Sequence, residues 1–310
     1  MSAAQASTTG RASAGGVRWL TLRRRRALLP AIFVAPGLAW LVVFYAIPIV
    51  SQLWVSLQTG NPDDGFAQTY NWSVYPDSLS EYHTHLVRSL GYAGLATILC
   101  FVIAFPLAYF VAFKAGRWKS IFLLLIILPF FTSMIVRTVA WQTLLADEGF
   151  VVSTLRSLGL LNVLGESGRV LATPQAVIAG ITYNFLPFMA LPLYASLERM
   201  DRGLVEAATD LYASRWTAFR KITLPLAAPG IFAGTLLTFI PAIGDYINAQ
   251  LLGTPQQYMI GNVIQSQYLN VRDYPVAAAL SFIVMVIVLV IIVIAARALG
   301  TRRLSEAVAA

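Results

Sequence analysis

The chain has 310 residues, 58% of them hydrophobic and only 12% charged, with a formal net charge of +8 and a mean hydropathy of +0.70. Soluble domains carry about 25% charged residues, so this chain has too little polar surface to cover a water-soluble globule. Its single cysteine, Cys100, lies in an apolar run and excludes an internal disulfide or a cysteine-based metal cluster.

Residues 1–26 are rich in Ser, Ala, Gly and Arg and read as a disordered basic tail. Arg23 to Arg26 precede an apolar run too long for a signal-peptide core, with no small-residue cleavage site at the right distance. An uncleaved anchor is expected. A hydrocarbon core about 30 Å thick needs about 20 apolar residues in helical form. The first run is Ala27 to Pro62, loop-like from Gln58. Ser89 to Phe113 is the second, and Ser120 to Ala146, interrupted by Arg137, is the third. Val170 to Leu197 is the fourth, Ile222 to Gly244 the fifth, with Asp245 just after it, and Tyr274 to Ala296 the sixth. No barrel-like alternation is visible, so helices are the spanning solution. The expected fold is an all-α integral membrane protein with six transmembrane helices over 27–303 and a short tail at 304–310. Prolines recur inside the spans, among them Pro106, Pro129, Pro187, Pro192, Pro225 and Pro241, where each removes a backbone donor and favours a kink.

The basic residues set the orientation. Seventeen of the 22 Lys and Arg fall in the N-terminal tail, the loops after spans two and four, and the C-terminal end. Only Arg156, Arg169 and Arg272 fall on the other side, and Arg88 and Arg137 lie at or within spans. By the positive-inside rule both termini are cytoplasmic, which suits an even number of spans. The positive charge is therefore assigned to the membrane, and no nucleic-acid partner is expected. The outer segment from Gln58 to His85 holds Asp63, Asp64, Asp77 and Glu81 and no Lys or Arg, with Tyr70, Trp72, Tyr75 and Tyr82 interleaved. It is either a solvated loop or a surface that attracts cations or docks a partner. His83 and His85 read as loop residues, and no metal site is expected.

The loop at 198–221 between spans four and five carries mixed charge. Glu206, Asp210 and Ser214 recur at four-residue spacing and so would share a helical face, beside apolar Leu204, Ala207, Ala208, Leu211 and Trp216. A short amphipathic element here either lies on the inner leaflet or docks against another protein.

Glu206-Ala207-Ala208, followed sixteen residues after the Glu by Ile222-Thr223-Leu224-Pro225, resembles the signature of ATP-binding-cassette import permeases of the binding-protein-dependent family. The segments Ser89–Phe113, Leu186–Asp201 and Ile260–Ser281 look like its spermidine/putrescine branch, which is similar to permeases for iron, thiamine and sulfate. The resemblance implies a type I importer architecture in a bacterial plasma membrane. Glu206, Ala207, Ala208, Asp210, Leu211, Tyr212 and Ser214 would form the ATPase-coupling segment. It also implies a second, similar permease subunit in a heterodimer, two ATPase subunits and an extracytoplasmic binding protein, all acting at the lipid bilayer. ATP and Mg would sit on the ATPase partner and no cofactor in this chain. One departure stands out: the family's usual Gly six residues after the Glu is Tyr212 here, at a turn where left-handed geometry is cheap for Gly. The three lysines, Lys114, Lys119 and Lys221, follow no glycine, so no phosphate-binding P-loop is present. No nucleophile elbow or zinc-protease motif is present either, and no catalytic residue is expected.

Charges at membrane depth cost about 2.5–3.5 kcal/mol on insertion scales, which singles out Arg137 and Asp245. They either line a cation path or pair with each other to hold helices together. Trp141, Tyr183 and Tyr246 offer faces that attract cations, with Asn184 and Asn248 as hydrogen-bonding neighbours. Two other classes compete: a stand-alone ion-coupled transporter, which would usually show internal repeats and paired midplane acids, and a membrane scaffold without a pathway.

Overall fold

The computed structural model describes residues 33–157, 159, 169–201, 203–204, 208, 210, 212 and 214–298. The expected tails at 1–26 and 304–310 lie outside the described residues. The chain divides into two compact units, Met1–Trp54 and Val55–Ala310.

The first unit contributes most of α1 (Phe33–Ser56), an apolar helix of 24 residues. In the second, the hairpin β1 (Gln58–Asn61) and β2 (Gly65–Gln68) pairs antiparallel. Its turn is closed by Asn61, whose Oδ1 accepts from the backbone N–H of Asp63 and Asp64 at 3.1 and 2.7 Å. Helix α2 (Val74–Phe113) follows, 40 residues long. The segment from Gln58 to His85 is thus a hairpin and the first turns of α2, and His83 and His85 are helical rather than loop residues. Helix α2 starts well before the apolar run because polar side chains hold its exposed end. Arg88 donates to the Tyr258 carbonyl at 2.8 Å, Ser89 Oγ accepts from Ile260 N–H at 2.7 Å, and Gln267 donates to the Tyr82 hydroxyl at 2.8 Å.

The third span is not one helix. A single 3₁₀ turn at Gly116–Trp118 precedes α3 (Lys119–Ile127), and a further 3₁₀ turn at Leu128–Phe131 leads to α4 (Met134–Leu145). The two halves meet at 95°. Pro129 removes a donor, and Thr132 is extended, at φ −109° and ψ 146°, so the hydrogen-bond ladder stops there. Helix α5 (Phe150–Ser157) is followed by α6 (Pro174–Glu198), capped by the Thr173 hydroxyl. The fifth span is bent too. Helix α7 (Arg215–Leu226), interrupted by a π-turn at Phe219–Thr223, meets α8 (Ala228–Ile243) at 61°, beside Pro225 and Pro229. Two short helices, α9 (Ile247–Leu252) and α10 (Ile260–Ser266), lead to α11 (Tyr274–Ala298). Among the described residues four continuous helices are long and apolar enough to cross a membrane. With each bent pair counted as one span, the number is the expected six.

Lipid is as apolar as leucine, so such helices hold together by close packing rather than by escape from water. Small residues do this here. Ala93, Ala96, Cys100, Ala104 and Ala108 form a fully buried stripe along α2, and Cys100 Sγ reaches the Thr182 carbonyl of α6 at 3.3 Å. Gly230 and Gly234 of α8 form a G-x-x-x-G pair against α6. A Cβ on Gly230 would stand 2.6 Å from the Pro192 carbonyl oxygen, and one on Gly234 would stand 2.8 Å from Met189 Sδ.

Candidate functional site

Two places combine polar chemistry with a position between elements: a buried junction where α4, α6 and α9 meet, and the loop between α6 and α7.

The junction begins where α8 ends. Asp245 follows the α8 C-cap, and its carboxylate is only 5% exposed. Oδ1 accepts from the backbone N–H of Asn248 at 3.0 Å and Oδ2 from its side-chain amide at 2.5 Å. The first bond caps α9, since an N–H in a helix's first turn has no partner within its own helix. Asn248 passes the connection on. Its Oδ1 accepts from Asn184 of α6 at 3.1 Å and from Thr138 of α4 at 3.3 Å. Asn248 comes this close because position 180 on α6 is glycine: a Cβ there would lie 2.7 Å from Asn248 Oδ1. All four side chains are buried. Asn184 Oδ1 is left without a hydrogen-bond partner among the described residues. A buried polar cluster in a medium without water is held firmly, because each member has nowhere else to bond.

The structure brings together three of the expected pathway residues, Asn184, Asp245 and Asn248, and adds Thr138. It does not form the Arg137–Asp245 pair. The ion pairs among the described residues are Lys119–Glu198 and Arg169–Asp147, and Arg137 keeps Nε and Nη1 buried without a hydrogen-bond partner. The reason lies on α4 itself: Thr138 takes the face towards Asn248, so its neighbour Arg137, about 100° round the helix from it, faces another way. The rings of Trp141 and Tyr183 meet at 5.5 Å, tilted by 55°, across α4 and α6. Tyr183 also lines an apolar cleft of about 320 Å³ with Phe122, Pro129, Leu186 and Pro187. Tyr246 stays partly exposed, and its carbonyl accepts from Asn262 at 2.9 Å.

In the second place, the loop is framed by two fixed ends. At the first, Lys119 pairs with Glu198 and lies 5.3 Å from the centre of the Tyr194 ring. At the other, Ser214 caps α7, its hydroxyl accepting from Thr217 N–H at 3.2 Å. Trp216, largely exposed, stacks on Phe219 at 5.5 Å, and Phe219 meets buried Phe105 of α2 edge-on at 5.5 Å. Three rings thus run from the loop surface into the helix core. Ala208 and Asp210 are helical, while Glu206, Ala207 and Leu211 lie outside the described residues. Ser214 does not extend the Asp210 face as its spacing suggests. It is extended, at ψ 154°, because Tyr212 breaks the helix with a left-handed φ of 60°. A non-glycine residue pays about 1–2 kcal/mol for that geometry.

The chain as a whole is similar to known proteins. Residues 30–306 match the family model described as the binding-protein-dependent transport system inner membrane component. The chain belongs to that family. It is a multi-pass membrane permease of the type I importer fold, a non-catalytic subunit of a transport system that works with a binding protein. It is 37% identical over 248 residues to the spermidine/putrescine transport system permease protein PotB of Escherichia coli, covering 80% of this chain and 89% of that protein. PotB of Haemophilus influenzae is 36% identical over 81% of this chain and 87% of its own length. The inner membrane ABC transporter permease protein YdcU of Escherichia coli is 37% identical over 65% of this chain and 67% of that protein. The fold is similar to a chain in the crystal structure of a bacterial alginate ABC transporter in complex with an alginate pentasaccharide-bound periplasmic protein. That match has a TM-score of 0.69 at 19% identity, over 91% of this chain and 96% of the other.

Proposed function

We propose that this permease is one of two homologous membrane subunits, paired as a heterodimer, of an ATP-driven importer for polyamines. The carrying observation is the 36–37% identity to spermidine/putrescine permeases over about four-fifths of the chain. Both termini and the 198–221 loop face the cytoplasm of a bacterial cell, where two ATPase subunits bind ATP and Mg and hydrolyse the nucleotide. The loop docks on one of them through Glu206, Ala207, Ala208, Asp210, Leu211, Tyr212 and Ser214. An extracytoplasmic binding protein delivers the cargo from the other side.

The stack Trp216–Phe219–Phe105 supports this coupling role, since movement imposed on the loop reaches α2 through packed rings. At the junction, Asp245 is the buried anion nearest the outer end of span five. With Asn248 as its donor the carboxylate is held by two hydrogen bonds. When α9 moves and Asn248 withdraws, a bare carboxylate faces the path and replaces part of the water that a polyammonium sheds, because Coulomb terms grow as the dielectric falls. Trp141, Tyr183 and Tyr246 line the same path with cation-attracting faces, alongside Asn184, and Arg137 borders it.

The test is uptake of labelled spermidine and putrescine in a strain lacking the chain, complemented with wild type or Asp245→Asn. Restored uptake, competed by polyamines and not by thiamine, ferric iron or sulfate, supports the substrate class. Competition by one of those three instead replaces it. Full uptake by a stably inserted Asp245→Asn protein removes the carboxylate from the pathway.

A further inference from the structure

Tyr212 combines two properties that pull in opposite directions. Its backbone sits at φ 60°, in the region that favours glycine. The residue is 99% exposed, so among the described residues no packing offsets that strain. Glycine would close the same turn at lower cost and leave no ring in water. Strain that brings nothing to the free chain points to a use outside it. The turn that Tyr212 makes also separates Asp210 from the Ser214-capped start of α7, so the ring projects from the corner of the loop. Tyrosine brings large apolar area with few rotatable bonds, the usual make-up of an interface anchor. Four positions on, Trp216 presents a second ring, already held by its stack on Phe219.

We infer that Tyr212 is an aromatic anchor that inserts into a pocket of the ATPase subunit, held ready by its left-handed turn, and that it selects which ATPase this permease accepts. The inference rests on the proposed docking of the 198–221 loop. The partner it fits carries an apolar cleft, one ring deep, beside the groove that receives the loop. Trp216 sits at the rim of the contact and passes the load inward to Phe219 and Phe105. An ATPase shaped for a glycine at this corner has no such cleft and is rejected by steric clash.

The experiment uses the native transporter complex in nanodiscs, stripped of its ATPase subunit and re-titrated with that purified subunit. Four permeases are compared: wild type, Tyr212→Phe, Tyr212→Gly and Tyr212→Asn. Phenylalanine keeps the ring and should bind within threefold of wild type. Glycine relieves the strain, and asparagine tolerates left-handed geometry while keeping a Cβ, yet both should bind at least tenfold more weakly, with no loss of thermal stability in the permease. Gly and Asn variants that bind within threefold of wild type overturn the inference, since the residue then serves only the turn. Glu206→Lys is run beside them. If it abolishes binding while Tyr212→Gly does not, the loop docks and the anchor is wrong. If neither changes binding, the docking reading itself fails.

Discussion

Asn248 holds Asp245 with two donors at once, its backbone N–H at 3.0 Å and its side-chain amide at 2.5 Å, one to each carboxylate oxygen. Hydrogen bonds to charged groups contribute about 1.5–3 kcal/mol. Asn248→Ala should therefore destabilise the protein by about 2 kcal/mol, read as a lower unfolding midpoint in detergent. Adding Asp245→Asn removes the charge that has lost its side-chain donor, so the double variant should be more stable than Asn248→Ala alone. An additive cycle would mean that the two residues are not coupled.

The glycines of the chain should divide by what stands next to them. Gly230→Ala forces a Cβ against the Pro192 carbonyl, which belongs to backbone and cannot step aside. Overpacking of this kind costs about 1–3 kcal/mol. Gly91 and Gly94 of α2 have nothing within 4 Å of a new Cβ, so alanine there should be neutral or stabilising by up to about 1 kcal/mol. Equal unfolding midpoints for Gly230→Ala and Gly91→Ala would contradict the close α6–α8 crossing.

Orientation can be read with single cysteines, because the native Cys100 is fully buried and should stay silent to a membrane-impermeant maleimide. Asp63→Cys, at the exposed hairpin turn, should label from the outside of spheroplasts. Trp216→Cys should label only in inside-out vesicles. The reverse pattern would invert the proposed topology.

The coupling loop predicts two distinct failures. Glu206→Lys or Ala207→Asp places a charge in the docking contact, where buried like charges often cost several kcal/mol. ATPase retention on purification should fall at least tenfold. Phe219→Ala leaves the docking face intact and removes the ring between Trp216 and Phe105. It should keep the ATPase bound while substrate-stimulated hydrolysis drops. Wild-type hydrolysis in Phe219→Ala would rule out the ring stack as the route.

Asn184, Asp245 and Asn248 stand out in the sequence because a polar residue in an apolar run must find a partner, and the fold makes them each other's partners. Thr138 gives no such signal: a threonine can satisfy itself on the preceding turn, and it does donate to the Met134 carbonyl at 3.0 Å. The Arg137–Asp245 pair looked natural from charge alone. It does not form because α4 turns Thr138 rather than Arg137 towards Asn248, a helix rotation that charge and spacing do not reveal. The Gly230–Gly234 spacing was there to be read. The early start of α2 was not, because its exposed turns are held by Tyr258, Ile260 and Gln267, some 170 to 185 residues further along the chain.

At 1.5 Å per residue, the 40 residues of α2 span about 60 Å, roughly twice the hydrocarbon thickness. One end is clasped at Tyr82, Arg88 and Ser89. Towards the other, Phe105 meets the ring stack that leads out to Trp216. A single helix therefore works as a lever across the whole bilayer. Pivoting it by about 5° at the clasp would sweep its far end, about 40 Å away, through about 3–4 Å. The clasped end and the ring stack are thus joined by one unbroken helix, with Pro106 inside it as a place where the ladder lacks a donor and the rod can bend.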